Sequence, residues 1–173
     1  MSNNHPNRKG GRRSAARLAV VQALYEMEVA GRGMNAVLTE CLAGDWRQRL
    51  VDPSDVDVEG LDPAAEPDRE MVSALLRVVS EQDADLGKRI DPVLKEGQTL
   101  DRLETLIRCI LLAGLAELMT HSETDRAIII DEYVEVARAF YEGPEIGLVN
   151  AVLDRLAGEM AAWVPLQAQA PGA

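Results

Sequence analysis

Apolar residues recur every three to four positions along most of this chain, the spacing that buries one face of a helix. Ala16, Val20, Leu24 and Met27 set that rhythm for a first helix from Arg12 to about Ala30, ended by Gly31 and Gly33. A second helix follows from Met34 to Leu50. Pro67 suits the first turn of a third, which carries Met71, Leu75, Val78 and Val79, and a short fourth covers Ala84 to Leu94. The fifth starts at Thr99 or Asp101 and runs to about Met119. Leu103, Leu106, Ile107, Ile110, Leu111, Gly114 and Leu118 make it apolar on most sides, which predicts a helix at the centre of a bundle. Gly114 would let a neighbouring helix come close. A sixth spans Arg126 to Phe140. Its opening run, Ala127 to Ile130, could also suit a strand, but Val134, Ala137 and Tyr141 continue at helical spacing. Gly143-Pro144 breaks the chain before a last helix from Glu145 to Ala162, with Leu148, Val149, Val152, Leu153, Leu156 and Met160 on one face.

Three stretches lack this rhythm. Residues 1–11 are polar, with Pro6, Gly10 and Gly11, and read as a disordered basic arm. Residues 51–68 hold seven acids, three prolines and no base, and read as an extended acidic linker. Residues 165–173 read as a flexible tail. Residues 12–164 then form a single all-α domain of about seven helices. A hydrophobic share of 47% permits a real core, and an aromatic share of 3% favours helices over sheets. It also argues against capture of single strands mainly by base stacking.

Charge changes the picture at one end. The first seventeen residues hold five cations and no acid: Arg8, Lys9, Arg12, Arg13 and Arg17. The remaining 156 residues set 13 Lys+Arg against all 29 Asp+Glu, a balance of −16. A basic tip on an acidic body points to a polyanion at that tip, and nucleic acid suits it best. Cations at a helix start oppose the macrodipole by roughly 0.3–1 kcal/mol each. Their placement there makes sense when an anion arrives to meet guanidinium forks and free N–H groups together. Arg13 and Arg17, four apart, share a helix face.

Catalytic chemistry is hard to place. The chain has no P-loop, no Gly-rich dinucleotide fingerprint and no Gly-x-Ser-x-Gly elbow. His5 lies in the arm and His121 at a predicted helix end, where it suits the helix dipole. Asp131, Glu132 and Glu135 share a helix, but no second ligand motif converges on them, so they read as a solvated or partner-facing stripe. Cys41 and Cys109 read as buried thiols in a reducing compartment. No catalytic residue, metal site or cofactor is expected. No segment reads as a signal peptide or a membrane span, which predicts a cytoplasmic protein.

At these residues the chain resembles the NusB family of bacterial transcription antitermination factors. Arg12-Arg13-Ser14-Ala15-Ala16-Arg17 followed by Val21-Gln22-Ala23-Leu24-Tyr25 is similar to the family's arginine-rich start and its "QALY" segment. Ala116-Glu117-Leu118, then Ile130 to Ala137, then Val149 to Asp154 resemble the "YEL", "NEAVELA" and "VNGVLD" blocks in order. The resemblance implies two small helical bundles packed together and a non-enzymatic role. It implies binding to the boxA element of nascent ribosomal RNA, in a heterodimer with NusE, a small-subunit ribosomal protein, and assembly with other Nus factors on RNA polymerase.

By position, the resemblance makes Arg13 and Arg17 RNA contacts, with Arg12 beside them and Arg8 and Lys9 extending the track. It offers Glu117, Glu132, Leu148 and Asn150 to a partner, and carboxylates there suit a basic one. The chain departs from the family pattern at five places: Ser14 replaces an arginine, Gly147 and Leu148 a Lys-Phe pair, and Leu112 and Ala116 an Arg and a Tyr. Three arginines alone predict weak RNA binding, with log affinity falling against log salt at a slope of roughly −2. Two other readings fit the same module: a stand-alone ribosomal RNA-binding accessory, and a protein-interaction adaptor, as a homodimer or on an acidic partner.

Overall fold

A computed structural model describes residues 8–43 and 65–160. The acidic stretch 51–64, the end of the predicted second helix at 44–50, the arm at 1–7 and residues 161–173 lie outside the described residues. Among the described residues six α-helices form and no strand: α1 (Arg8–Ala30), α2 (Met34–Ala43), α3 (Arg69–Ile90), α4 (Thr105–Thr120), α5 (Arg126–Arg138) and α6 (Pro144–Glu159). Two short 3-10 turns, Asp91–Val93 and Leu100–Arg102, lead from α3 to α4.

The helix count falls from about seven to six because the predicted third and fourth helices are one. Asp68 caps α3, its carboxylate accepting the Met71 N–H at 3.1 Å, which leaves Pro67 just outside the helix. The helix then kinks at Gln82, where φ is −125° and ψ 16°, and resumes to Ile90. A run of Glu81, Asp83 and Asp85 interrupts the apolar rhythm at that point, so the sequence pattern resembles two helices with a gap. The fifth predicted helix loses its first turn, because Leu100–Arg102 form a 3-10 turn and α4 opens only at Thr105. The isoleucine run after Ala127 is helical, with the Asp125 carboxylate accepting the Ala127 N–H at 2.9 Å. Gly143-Pro144 does not merely break the chain: Gly143 caps α6 and Pro144 is its first residue.

α1, α2 and α3 pack as one bundle, and α4, α5 and α6 as a second. α4 is the shared wall, in contact with α1, α3, α5 and α6. Cys109 through Leu118 are buried without interruption, as an all-round apolar helix requires. Gly114 makes a close approach between helices. A Cβ there would lie 2.9 Å from both Leu153 methyls of α6 and 3.4 Å from Tyr133 Cγ of α5. Both thiols are free and buried, and burial pushes Cys41 up to about 11 and Cys109 up to about 12. Both are therefore protonated and inert near neutral pH. No helix among the described residues is long and apolar enough to cross a membrane.

Candidate nucleic-acid interface

α1 opens at Arg8, four residues before the sequence predicts. The backbone N–H groups at this end that lack a helical partner therefore include those of Arg8, Lys9 and Gly10. Arg12 and Arg13 lie a turn further on and offer side chains alone. No acid stands in the first turn to answer the macrodipole.

The chain entering α3 is fastened to this end of α1. The Asp68 N–H donates to the Arg12 carbonyl at 3.0 Å, and Ala65 lies beside Gly11. The Arg12 side chain stays exposed. Arg13 is 35% exposed and makes a loose ion pair with Glu123, 3.5 Å from Nη2 to Oε1. Glu123 follows α4, where its own backbone N–H, then His121 and Arg13, hold its carboxyl below the ordinary value. An exposed pair of this length is worth little and yields easily to another anion. Arg12 and Arg13 are thus cations open to a ligand.

Arg17 is not. Predicted to meet phosphate, it is instead 3% exposed, sealed between α1, α4 and α5. Its Nε donates to Glu117 Oε2 at 2.9 Å and its Nη2 to Glu117 Oε1 at 2.6 Å, a two-pronged grip on one carboxylate. Its Nη1 reaches Glu132 Oε2 at 2.9 Å, the same oxygen that accepts the Ser14 hydroxyl at 2.5 Å. Burial works against the Arg17 charge, but the Glu117 hydrogen bonds and both carboxylates outweigh it and raise its pKa. A guanidinium so enclosed, with each of its three nitrogens bonded to a carboxylate, is not open to phosphate. Arg17 falls in register with Val20, Val21 and Leu24, all buried, and so points inward rather than outward with Arg12.

Glu117, expected at a partner-facing position, has a 0% exposed side chain paired with Arg17. Tyr133 lies wholly buried nearby. Burial, then the Glu117 charge, pushes its phenol well above the ordinary value, although its hydroxyl makes no hydrogen bond to that carboxylate. Glu132, 32% exposed, keeps one edge at the surface. Asn150 is exposed, whereas Leu148 is half-buried against the core. Leu112 and Ala116 are buried in α4, so these departures from the family pattern fill the interior. His121 ends α4, its backbone N–H donating to the Glu117 carbonyl at 2.9 Å. No group of three or more potential metal ligands gathers among the described residues.

Sequence reasoning missed three further ties. Ser14 joins Glu132, Arg32 bridges Glu26 and Glu40, and Arg108 of α4 pairs with Glu28 of α1. The lone Arg108 and Glu117 in an otherwise apolar helix were the available signal, since buried charges require partners.

The family model described as NusB family matches residues 14–158. The chain belongs to the NusB family. A transcription antitermination protein NusB from Caulobacter vibrioides is 43% identical over 145 residues, which span 84% of this chain and 91% of the relative. One from a Bradyrhizobium species is 41% identical over 152 residues, 87% of this chain and 84% of the relative. The solved structure of T. maritima NusB superposes with a TM-score of 0.64 at 24% identity, covering 84% of this chain and 90% of that one, and so shares the fold. NusB-family proteins are transcription antitermination factors, not enzymes. The NusB match begins at Ser14, so Arg12 and Arg13 stand just ahead of it and Arg17 just inside.

Proposed function

We propose that this protein binds boxA in nascent ribosomal RNA through the opening turns of α1, together with NusE, and joins other Nus factors on RNA polymerase. The observation that carries this reading is the pair Arg12 and Arg13, exposed or loosely held at the basic end of an otherwise acidic molecule. Arg8 and Lys9 belong to the same helix and lengthen the track. Arg17 is left out of the contact set.

The balance of −16 elsewhere in the chain opposes long-range capture of a polyanion. A basic ribosomal partner offsets that by covering acidic surface and extending the positive track. Glu132, with one edge exposed, and Asn150 are the surface positions on α5 and α6 assigned to that partner. Base selection then falls to the pair reading unstacked bases together.

Titration with boxA RNA and with shuffled RNA, each with and without NusE, tests this. Preference for boxA that sharpens when NusE is added is the expected result. Equal affinity for boxA and shuffled RNA in the presence of NusE would overturn it. Ribosomal RNA binding without boxA selectivity would favour an accessory role, and no RNA dependence an adaptor.

A further inference from the structure

We propose that Arg17 is a positioning residue for RNA binding: its fork on Glu117 and Glu132 fixes how α1 is turned against α4 and α5, and so holds Arg12 and Arg13 outward. The inference rests on the proposed RNA-binding role of those two arginines.

Three observations carry it. First, one guanidinium joins all three helices. Glu117 lies on α4 and Glu132 on α5, and both are bonded at 2.6–2.9 Å to a side chain of α1. Second, the fork is directional. A planar guanidinium that grips one carboxylate with two nitrogens and a second with its third permits little rotation of the helix that carries it. Third, the bonding continues towards the tip. Ser14 shares the Glu132 oxygen, and Ser14 follows Arg13 directly. Arg13 lies one turn before Arg17 on the same helix face. A small rotation of α1 about its axis would therefore carry Arg13 into the seam or out of it, and turn Arg12 with it.

An apolar seam sets which face of a helix is buried, but allows sliding and a range of rotation. A buried ion pair adds little net stability over well-packed apolar residues of similar volume. Orientation is what this pair supplies beyond packing. The same logic separates Arg17 from Arg32, whose two carboxylates lie on α1 and α2 at a half-exposed edge.

The test uses the full chain and single-stranded RNA carrying boxA. Arg17→Met combined with Glu117→Leu removes both charges at similar volume, so the fold should persist with little change in melting temperature. RNA affinity should fall at least about fivefold while the salt slope stays as in wild type, because no phosphate contact has been lost. Backbone amides of residues 12–16 should exchange hydrogen at least about tenfold faster, reporting looser seating of the opening turns. A slope smaller in magnitude by about 0.7 with wild-type exchange rates at residues 12–16 would mean that Arg17 itself touches phosphate, and unchanged affinity would mean that it positions nothing. Either result overturns the proposal.

Arg17→Lys covers the case in which the double variant does not fold. It keeps the charge but lacks the fork, so affinity should fall with the slope unchanged. Full affinity in the lysine variant would overturn the proposal. If wild type binds no RNA at all, the functional reading fails on its own. The exchange rates then decide whether Arg17 seats α1: wild-type rates in both variants would show that it does not.

Discussion

Arg13 and Arg17 lie four positions apart and have opposite surroundings. Arg13 is 35% exposed with one loose carboxylate at 3.5 Å, while Arg17 is 3% exposed with two carboxylates at 2.6–2.9 Å. Both belong to one basic run and one helix face. The difference lies in what packs opposite them. Past Ser14, α1 runs against α4 and α5, and the seam closes over its side chains. Before Ser14, the facing chain is the loop that carries Glu123. Net charge of a segment therefore counts its cations without saying which are available. Availability depends on the carboxylates supplied by distant parts of the chain.

The comparison breaks most directly at the inner end. Arg17→Ala leaves the Glu117 carboxylate buried with no counter-charge. Removing one partner of such a pair costs about 3–5 kcal/mol. Urea unfolding should show the midpoint falling accordingly. A loss below about 1 kcal/mol would place Arg17 with the surface cations instead. The sequence alone leads to the opposite expectation, because a cation near a helix start opposes the macrodipole and its removal would leave stability unchanged or higher.

Next in size is Gly114→Ala, which disturbs the same interior without touching a charge. The new Cβ would lie 2.9 Å from two methyls of Leu153, itself fully buried and unable to swing into solvent. Overpacking of this kind, partly offset by alanine's better helix propensity, should cost about 1–2 kcal/mol. If Arg17 belongs to the interior, its alanine variant should lose more than this one in the same unfolding experiment.

The reach of sequence reading follows the same division. The apolar rhythm located α1, α5 and α6 to within a few residues, because each buries one face against the other helices. It split α3 in two, because the acids at Glu81, Asp83 and Asp85 mimic a linker where the helix only kinks. The basic tip was legible as composition. The Arg17–Glu117–Glu132 node was not, since Arg17 lies 100 and 115 positions from its two carboxylates and no local pattern connects them. Two clues stood in plain view: a charge inside the apolar run of α4, and an arginine at i−3 and i−4 from two valines of the first helix's buried stripe. Each acquires meaning only when the other is placed against it.

Asp68 tests the border between the two regions. Its carboxylate caps α3 while its backbone N–H holds the Arg12 carbonyl. Asp68→Ala removes the cap and keeps the backbone bond. It should cost about 1 kcal/mol in urea unfolding. RNA affinity should stay within about twofold, since the loss of one half-buried carboxylate near Arg12 offsets slight loosening.

The smallest effects on stability belong to the outer arginines, and there the contrast is sharpest. Arg12→Ala and Arg13→Ala should each change unfolding free energy by no more than about 0.5 kcal/mol, because neither side chain is buried or tightly paired. The Arg13–Glu123 contact is exposed and at the long end of ion-pair range, so its loss is nearly neutral. Their effect should appear in binding instead. Each contacted phosphate contributes roughly −0.7 to the slope of log affinity against log salt on a single strand, so each substitution should flatten that slope by about 0.7. The pair changed together should flatten it by about 1.4, since the side chains are independent and exposed. An Arg12 or Arg13 variant with a wild-type slope and a depressed melting temperature would reverse the assignment of outer and inner arginines.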